Sequence, residues 1–186
     1  MNFTVSFHNL WIFYALAYAL AIPMQGWAEK KRGQPIDDPE FLFRGKLIVT
    51  LALLWILVGF VISLFTPFTF GIPFIIGVCL YVAGLVVVAL TFISFSRHKG
   101  LVTTGFHRYS RNPGYVGWIT VILGLTLIGW SQSVWSVLFL VYFIGSIAYL
   151  NWTVLLEERF LTNKYGEPYA AYLRNTSRYF GVSKQS

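Results

Sequence analysis

Two stretches of the sequence carry the side chains best suited to chemistry. The first, "RHKGLVTTGFHRYSRNPGYVGW" at 97–118, gathers imidazoles, glycines, tyrosines and guanidinium groups in one short segment. The second is the adjacent carboxylate pair Glu157 and Glu158, which follows a long apolar run. Carboxylates, imidazoles and guanidinium groups are the usual binders of charged ligands. We therefore expect a ligand site where the two stretches meet.

The residues near 112–114 predict the start of a helix. Pro113 suits the first helical turn, because its missing N–H would have no acceptor there, and Asn112 before it is a favoured N-cap residue. The free N–H groups and the dipole at such a start attract an anion. A capped helix with basic anchors is the plainer interpretation. That interpretation does not explain the glycines, histidines and tyrosines beside it.

The elements that must position these side chains are apolar enough for a bilayer. Of the 186 residues 56% are hydrophobic and only 11% are charged, whereas a soluble domain has about 25% charged residues. About 20 apolar residues cross a bilayer as a helix, because backbone in lipid must satisfy its own hydrogen bonds. The sequence predicts an all-α integral membrane protein that forms a single domain over 1–186. Its five predicted transmembrane helices are 10–25, 47–65, 72–95, 115–130 and 134–156.

The distribution of basic residues predicts the orientation of these helices. All 14 Lys and Arg residues lie between spans one and two, between spans three and four, or after span five. The positive-inside bias therefore predicts an outside N-terminus and a cytoplasmic C-terminus. We expect a multi-pass protein, in the cell membrane if it is prokaryotic, with the site on the cytoplasmic side. This topology accounts for the net charge of +7, so no nucleic-acid partner is expected.

The depth of the carboxylate pair places it at the same membrane face. If the last span starts near residue 133, Glu157 lies about 36 Å along the helix, just beyond a hydrocarbon core of about 30 Å. Successive helical residues point about 100° apart, so Glu157 and Glu158 are expected in different surroundings. An ordinary charged helix exit is the alternative. His and Cys residues are not clustered at zinc-binding spacing, so no metal is expected.

The two stretches also resemble a known family. "LVTTGFHRYSRNPGYVGW" at 101–118 and "EERFLTNKYGEPYAAYLRNTSRY" at 157–179 resemble the isoprenylcysteine carboxyl methyltransferase family. Its pattern reads approximately L-V-T-x-G-x-Y, R-H-P-x-Y-x-G, E-E and a closing F-G-x-x-Y-x-x-Y. The resemblance covers 99–179, which is taken as the methyltransferase core of a compact, prokaryotic-type member.

The resemblance implies an integral membrane enzyme that uses S-adenosylmethionine. The acceptor would be the carboxylate of a prenylated cysteine or a similar lipophilic molecule from the bilayer. Arg111, Glu157 and Glu158 would be catalytic. Glu157 would hold the cationic part of the cofactor, and Arg111 or another basic residue of the loop would fix the acceptor carboxylate. The implied cofactor-binding residues are His98, Lys99, Gly100, Leu101, Val102, His107, Tyr109, Asn112, Pro113, Gly114, Tyr115 and Glu157.

Three positions depart from the family pattern. Asn112 stands where the family usually has histidine, and His107 stands where it usually has tyrosine. Thr153 occupies the place where some relatives have an arginine linked to substrate. Because Asn112 and His107 still form hydrogen bonds, we expect cofactor binding to be kept with altered detail.

Three other functions fit the sequence less closely. A phospholipid or other small-molecule membrane methyltransferase would keep the cofactor and change the acceptor. An NADPH-dependent sterol reductase has a similar loop before a spanning helix, but such enzymes are larger. A non-catalytic carrier is disfavoured because spans one to three contain almost no ionisable side chain at mid-depth, where transport paths usually place them.

Overall fold

The computed structural model describes residues 5–36, 40–41 and 45–181, and helices make up most of these residues. No strand occurs within the described ranges beyond an isolated bridge between Asn9 and Pro67. The predicted all-α class is therefore confirmed. The α-helices are α1 (Trp11–Arg32), α2 (Lys46–Phe65), α3 (Ile72–Ser96), α4 (Pro113–Ile128), α5 (Val134–Tyr165) and α6 (Glu167–Asn175), and a 3-10 helix at Gly105–Arg108 precedes α4.

Three of these helices, α2, α3 and α5, are long and apolar enough to cross a membrane. Helix α4 is also apolar but has only 16 residues. Helix α1 runs past its predicted end near residue 25 to Arg32, and its last turn carries three basic residues. Length and composition thus support an integral membrane protein with three candidate spans among the described residues. The five-span topology and the outside N-terminus remain predictions.

Helix α2 shows how the bilayer replaces a protein core. Gly59 and Ser63 are buried along α2, whereas Leu53, Leu54 and Leu57 are more than half exposed. A helix that is apolar all round is stable only when surrounded by protein or lipid. The exposed leucines therefore form a lipid-facing surface.

Helices α3 and α4 pack backbone against backbone through two pairs of glycines. A Cβ atom on Gly77 would lie 2.7 Å from the carbonyl oxygen of Gly124, and one on Gly84 would lie 2.8 Å from that of Gly117. The members of each helix are seven residues apart and therefore share one face. Small residues at such a crossing let membrane helices approach closely. This contact places the start of α4 beside the end of α3.

Helix α1 lies against the other helices through buried aromatic residues. The Tyr81 hydroxyl on α3 donates a 2.9 Å hydrogen bond to the Phe13 carbonyl. The Tyr14 hydroxyl donates to the Ile56 carbonyl on α2 at 3.0 Å and lies 3.0 Å from the Tyr142 hydroxyl on α5. Buried hydroxyls need such partners. These contacts fix the first turn of α1 against α2, α3 and α5.

Candidate active site

A cavity of about 790 Å³ lies among α1, α2, α4 and α5. At one end it is lined by the 100–115 segment and Glu157, and at the other by Trp55, Tyr142 and Ser146. Tyr142 and Glu157 lie on the same helix, about 22 Å apart along its axis at the standard rise. The cavity therefore connects the polar end of the helices with their apolar interior.

Most of the residues expected from the sequence lie on this cavity. Lining residues among them are Gly100, Leu101, Val102, His107, Arg111, Asn112, Pro113, Gly114, Tyr115 and Glu157. His98, Lys99, Tyr109 and Glu158 do not line it. His98 instead links its loop, with one ring nitrogen 3.0 Å from the Ser94 carbonyl and the other 3.1 Å from the Thr104 hydroxyl. The structure thus brings together two stretches that are distant in sequence.

Glu157 faces the start of α4. The Tyr115 hydroxyl donates a 2.9 Å hydrogen bond to Glu157 Oε2. Both side chains line the cavity, so the phenol orients a carboxylate on the cavity wall. The first-turn N–H groups of α4 have no acceptors within the helix, and Gly114 places that turn on the same wall. This wall thus offers a negative group and helix-start donors side by side.

Glu158 has a different environment from its neighbour, as the helical geometry predicts. Its side chain is 9% exposed and pairs with Arg111 at 2.9 Å and with Arg178 at 2.8 Å. These hydrogen bonds raise the pKa of Arg178. The carboxylate of Glu158 is therefore engaged by two guanidinium groups, away from the cavity lining.

Arg111 contacts other protein groups, whereas the resemblance leads us to expect that it binds the acceptor. Besides its two bonds to Glu158, Nη1 donates to the Leu173 carbonyl at 2.7 Å and to the Thr176 carbonyl at 2.6 Å. These four hydrogen bonds use most of the five N–H donors of a guanidinium group. Arg111 therefore fastens the segment after α6 to the start of α4, and this geometry indicates a positioning role.

The same C-terminal segment is held by the residues on either side of Arg111. The Ser110 hydroxyl and the Asn112 amide each donate to the Arg178 carbonyl at 3.2 Å. Asn112 occupies the N-cap position of α4, but its side chain makes no capping hydrogen bond. Asn112 therefore occupies the predicted N-cap position without a side-chain cap, and its amide nitrogen binds the C-terminal segment.

His107 is buried in the 3-10 helix and packs edge-on against Phe95, with ring centroids 5.1 Å apart. Its Nδ1 has no hydrogen-bond partner among the residues that the structure describes. Burial lowers the pKa of His107 to about 4, and the Thr104 backbone only partly opposes this shift. The imidazole is therefore neutral at pH 7. The Tyr172 hydroxyl from α6 donates to the His107 carbonyl at 2.6 Å.

Several polar lining residues were not expected from the sequence, among them Arg32, Gln34, Tyr169 and Tyr172. Arg32 belongs to a basic triplet that was interpreted only as a topology signal. The two tyrosines form the Y-x-x-Y spacing of α6, which corresponds to the end of the family pattern. That spacing could have identified them as site residues. Burial raises the pKa of both tyrosines, so their hydroxyls remain protonated donors at neutral pH.

The cavity and its lining define a class of protein: an all-helical membrane protein with a cavity that is polar at one end. Residues 47–168 match the family described as phospholipid methyltransferase, and the chain belongs to that family. It is accordingly a membrane methyltransferase, in a family whose members generally use S-adenosylmethionine. This family shares a superfamily with the isoprenylcysteine carboxyl methyltransferases. No curated protein and no solved structure matches the chain.

The matched region differs in extent from the predicted core at 99–179. It begins with α2 and ends within α6, so it includes Glu157 and Glu158 but neither Arg32 nor Arg178. Among the described residues no group of three or more His, Cys, Asp or Glu side chains is placed to hold a metal ion. The comparison therefore supports the coarse class of reaction and leaves the acceptor open.

Proposed function

We propose that the protein transfers a methyl group from S-adenosylmethionine to a lipophilic acceptor taken from the bilayer. One observation carries the proposal. A single cavity has Glu157 and the α4 start at one end and Trp55 and Ile56 at the other. Its volume lies within the range of about 300–1,000 Å³ that is typical of small-molecule sites. A polar cofactor and an apolar chain would meet inside it.

The chemistry of the polar end fits the cofactor. The Glu157 carboxylate, oriented by Tyr115, suits a positively charged group or a ribose diol. The helix start at Gly114 suits an anionic group. Val102 and Trp118, which also line the cavity, offer apolar surface for a flat heterocycle. The buried, unsatisfied Nδ1 of His107 is a further polar atom that a ligand would satisfy.

The protein residues contribute placement to the reaction. When bound, S-adenosylmethionine would supply an electrophilic methyl group and be left as a thioether. A carboxylate acceptor would take the methyl group on oxygen to give a methyl ester, and the amine of a phospholipid headgroup would take it on nitrogen and release a proton to solvent. A carboxylate acceptor is already ionised at neutral pH, so no protein group need remove a proton. Holding the reactants in line in a site shielded from water lowers the barrier by about 7–11 kcal/mol.

The finer proposal concerns the acceptor. The motifs at 101–118 and 157–179 favour the carboxylate of a prenylated cysteine. The family match favours a phospholipid headgroup as the second candidate. Both acceptors carry long apolar chains, and the inner part of the cavity would receive them. Its apolar lining residues include Ala21, Ile22, Ala52, Trp55 and Ile56.

We further propose that the polar end of the cavity faces the cytoplasm. The test uses single cysteines at Lys99 or Arg159, both exposed, in a Cys79→Ala background. A membrane-impermeant maleimide should label both positions only when it reaches the cytoplasmic face. Labelling of the two positions from opposite faces would contradict one shared site.

The proposed activity is tested by ligand binding followed by methyl transfer. Wild-type protein in detergent should bind S-adenosylhomocysteine and not NADPH. It should then transfer radiolabelled methyl groups to N-acetyl-S-farnesylcysteine or to phosphatidylethanolamine, which decides between the two acceptors. Glu157→Gln should lower cofactor affinity at least tenfold, whereas Glu167→Gln at an exposed position should not. Binding of NADPH alone would favour a reductase, and binding of neither would favour a carrier.

A further inference from the structure

Arg32, the last residue of α1, is a buried cation with neutral neighbours. It is 6% exposed, and within the described ranges it forms no ion pair with an acidic residue. Its Nη2 donates to the Gly100 carbonyl at 2.8 Å. The side-chain amide of Gln34 is oriented with its oxygen towards Arg32, the orientation in which both its oxygen and its nitrogen find partners. In this orientation the oxygen accepts from Arg32 Nε at 2.8 Å and from Nη2 at 2.9 Å. Nη1 has no hydrogen-bond partner in the described structure.

Within the part of the chain that the structure describes, no acidic side chain compensates the positive charge of Arg32. A buried charge is costly unless it is paired, because neutral dipoles offset only part of the lost hydration. The face of Phe95, whose centroid lies 5.4 Å from Arg32 Cζ, adds a cation–π contact. Neither the amide, the carbonyl nor the ring carries a negative charge. Among the described residues, the Arg32 guanidinium group therefore has only neutral contacts and could bind an anion.

The surroundings of Arg32 show where that anion would lie. Arg32, Phe95 and Gly100 all line the cavity. Gly100 has a φ of 73°, a left-handed conformation that favours glycine, and its N–H donates to the same Gln34 amide oxygen at 3.0 Å. The end of α1 is thereby fixed to the loop that follows α3. Contacts within the fold therefore hold Arg32 in position on the cavity wall.

The charges elsewhere on the cavity strengthen this assignment. Arg111 is already compensated by Glu158. The acidic side chain among the described lining residues is Glu157, which is bonded to Tyr115 on another helix. The cations of the described lining are Arg32, Arg111 and Lys164. The described lining thus carries more positive than negative charge, which favours an anionic ligand.

We propose that Arg32, held by Gly100 and Gln34, forms an oxyanion-binding site in this cavity. The inference rests on the proposed methyl-transfer function and names a residue outside the region that matches the family, 47–168. The ligand chemistry is a carboxylate or phosphate oxygen. It has two possible sources: the carboxylate of the cofactor's amino-acid part, or the anionic group of the acceptor.

The first arm of the test measures the affinity for S-adenosylhomocysteine and for its analogue without the carboxylate. If the cofactor supplies the oxyanion, wild type should prefer S-adenosylhomocysteine at least tenfold, and Arg32→Gln should abolish this preference. Arg32→Lys, which keeps the charge, should retain part of it. Lys30→Gln removes an exposed charge from the same helical turn and should behave as wild type.

The second arm measures methyl transfer to N-acetyl-S-farnesylcysteine or to a phospholipid, whichever wild type methylates. If the acceptor supplies the oxyanion, Arg32→Gln should raise its KM at least tenfold and leave the affinity for S-adenosylhomocysteine within twofold. Unchanged cofactor preference together with unchanged acceptor KM in Arg32→Gln would overturn the inference. If Arg32→Gln does not fold, the same comparison is made with Arg32→Lys. Failure of the proposed function is distinguishable, because wild type itself would then not bind S-adenosylhomocysteine.

Discussion

Tyr115 on α4 and Glu157 on α5 are joined across the cavity wall by a 2.9 Å hydrogen bond between a phenol and a carboxylate. The two residues are 42 positions apart in sequence. Their contact connects the glycine-rich segment before α4 with the acidic pair at the end of α5. It fixes the direction of the carboxylate that we assign to cofactor binding.

Tyr115→Phe should weaken the binding of S-adenosylhomocysteine by about tenfold, since one hydrogen bond to a charged group contributes about 1.5–3 kcal/mol and 1.4 kcal/mol is a factor of ten. Isothermal titration in detergent measures this change. Tyr109→Phe is the matched control, because Tyr109 is 58% exposed and does not line the cavity. Equal affinities in the two variants would remove the Tyr115–Glu157 contact from cofactor binding.

Glu158→Gln should destabilise the folded protein by about 3 kcal/mol, because it leaves the Arg111 and Arg178 guanidinium groups without their carboxylate. Thermal unfolding in detergent measures the loss. Glu167→Gln breaks the exposed pair with Arg174 and should cost less than about 1 kcal/mol. If the Glu158→Gln protein were as stable as the Glu167→Gln protein, the ion pairs of Glu158 with Arg111 and Arg178 would not hold the C-terminal segment in place.

Gly84→Ala should lower the stability by about 1–3 kcal/mol, as overpacking does. The added Cβ would lie 2.8 Å from the Gly117 carbonyl oxygen, so α3 and α4 must separate. Gly26→Ala on α1 is the control, since no atom lies within 4 Å of the added group. That control should be neutral or slightly stabilising, because alanine favours the helix. Equal melting temperatures in both variants would contradict the close crossing of α3 and α4.

Acidification should destabilise the protein through His107. Its pKa is about 4 in the folded state and near 6.5 when unfolded, so the unfolded chain binds more protons between these values. Stability is therefore lost as the pH falls from about 6.5 towards 4, and about 2 kcal/mol disappears between pH 7 and pH 5. Unfolding curves at both pH values should show this loss in wild type and in His8→Gln, where His8 is exposed. His107→Gln should lack that part of the pH dependence.

Much of the fold could be predicted from local patterns. The apolar runs predicted the bounds of α2, α3 and α4 within two residues, because a spanning helix must satisfy its own backbone. Helices α1 and α5 continue past their predicted ends near residues 25 and 156 to Arg32 and Tyr165. Pro113 correctly indicated the first residue of α4. The 100° rotation between neighbouring helical residues correctly separated the environments of Glu157 and Glu158. Each of these inferences depends on a rule that acts within one element.

What the sequence did not predict depends on contacts between elements. Asn112 is a favoured N-cap residue in the sequence, but its side chain forms no cap, and its amide nitrogen donates to the Arg178 carbonyl of the C-terminal segment. The Arg111 guanidinium group donates to the carbonyls of Leu173 and Thr176 and to the carboxylate of Glu158. Arg32 was interpreted as a topology signal, because only the folded structure places it beside Gly100. Tertiary partners therefore decided the roles of all three.

The attachment of the segment after α6 has a consequence for assembly. Arg178 emerges from the ribosome after all the described helices, yet its carbonyl and guanidinium group bind Ser110 and Asn112 before α4 and Glu158 on α5. A nascent chain with all its apolar helices already inserted would still lack this closure. In such an intermediate the helices would be inserted, but the start of α4 would not yet be held by the segment after α6. The site would be completed only when that segment binds.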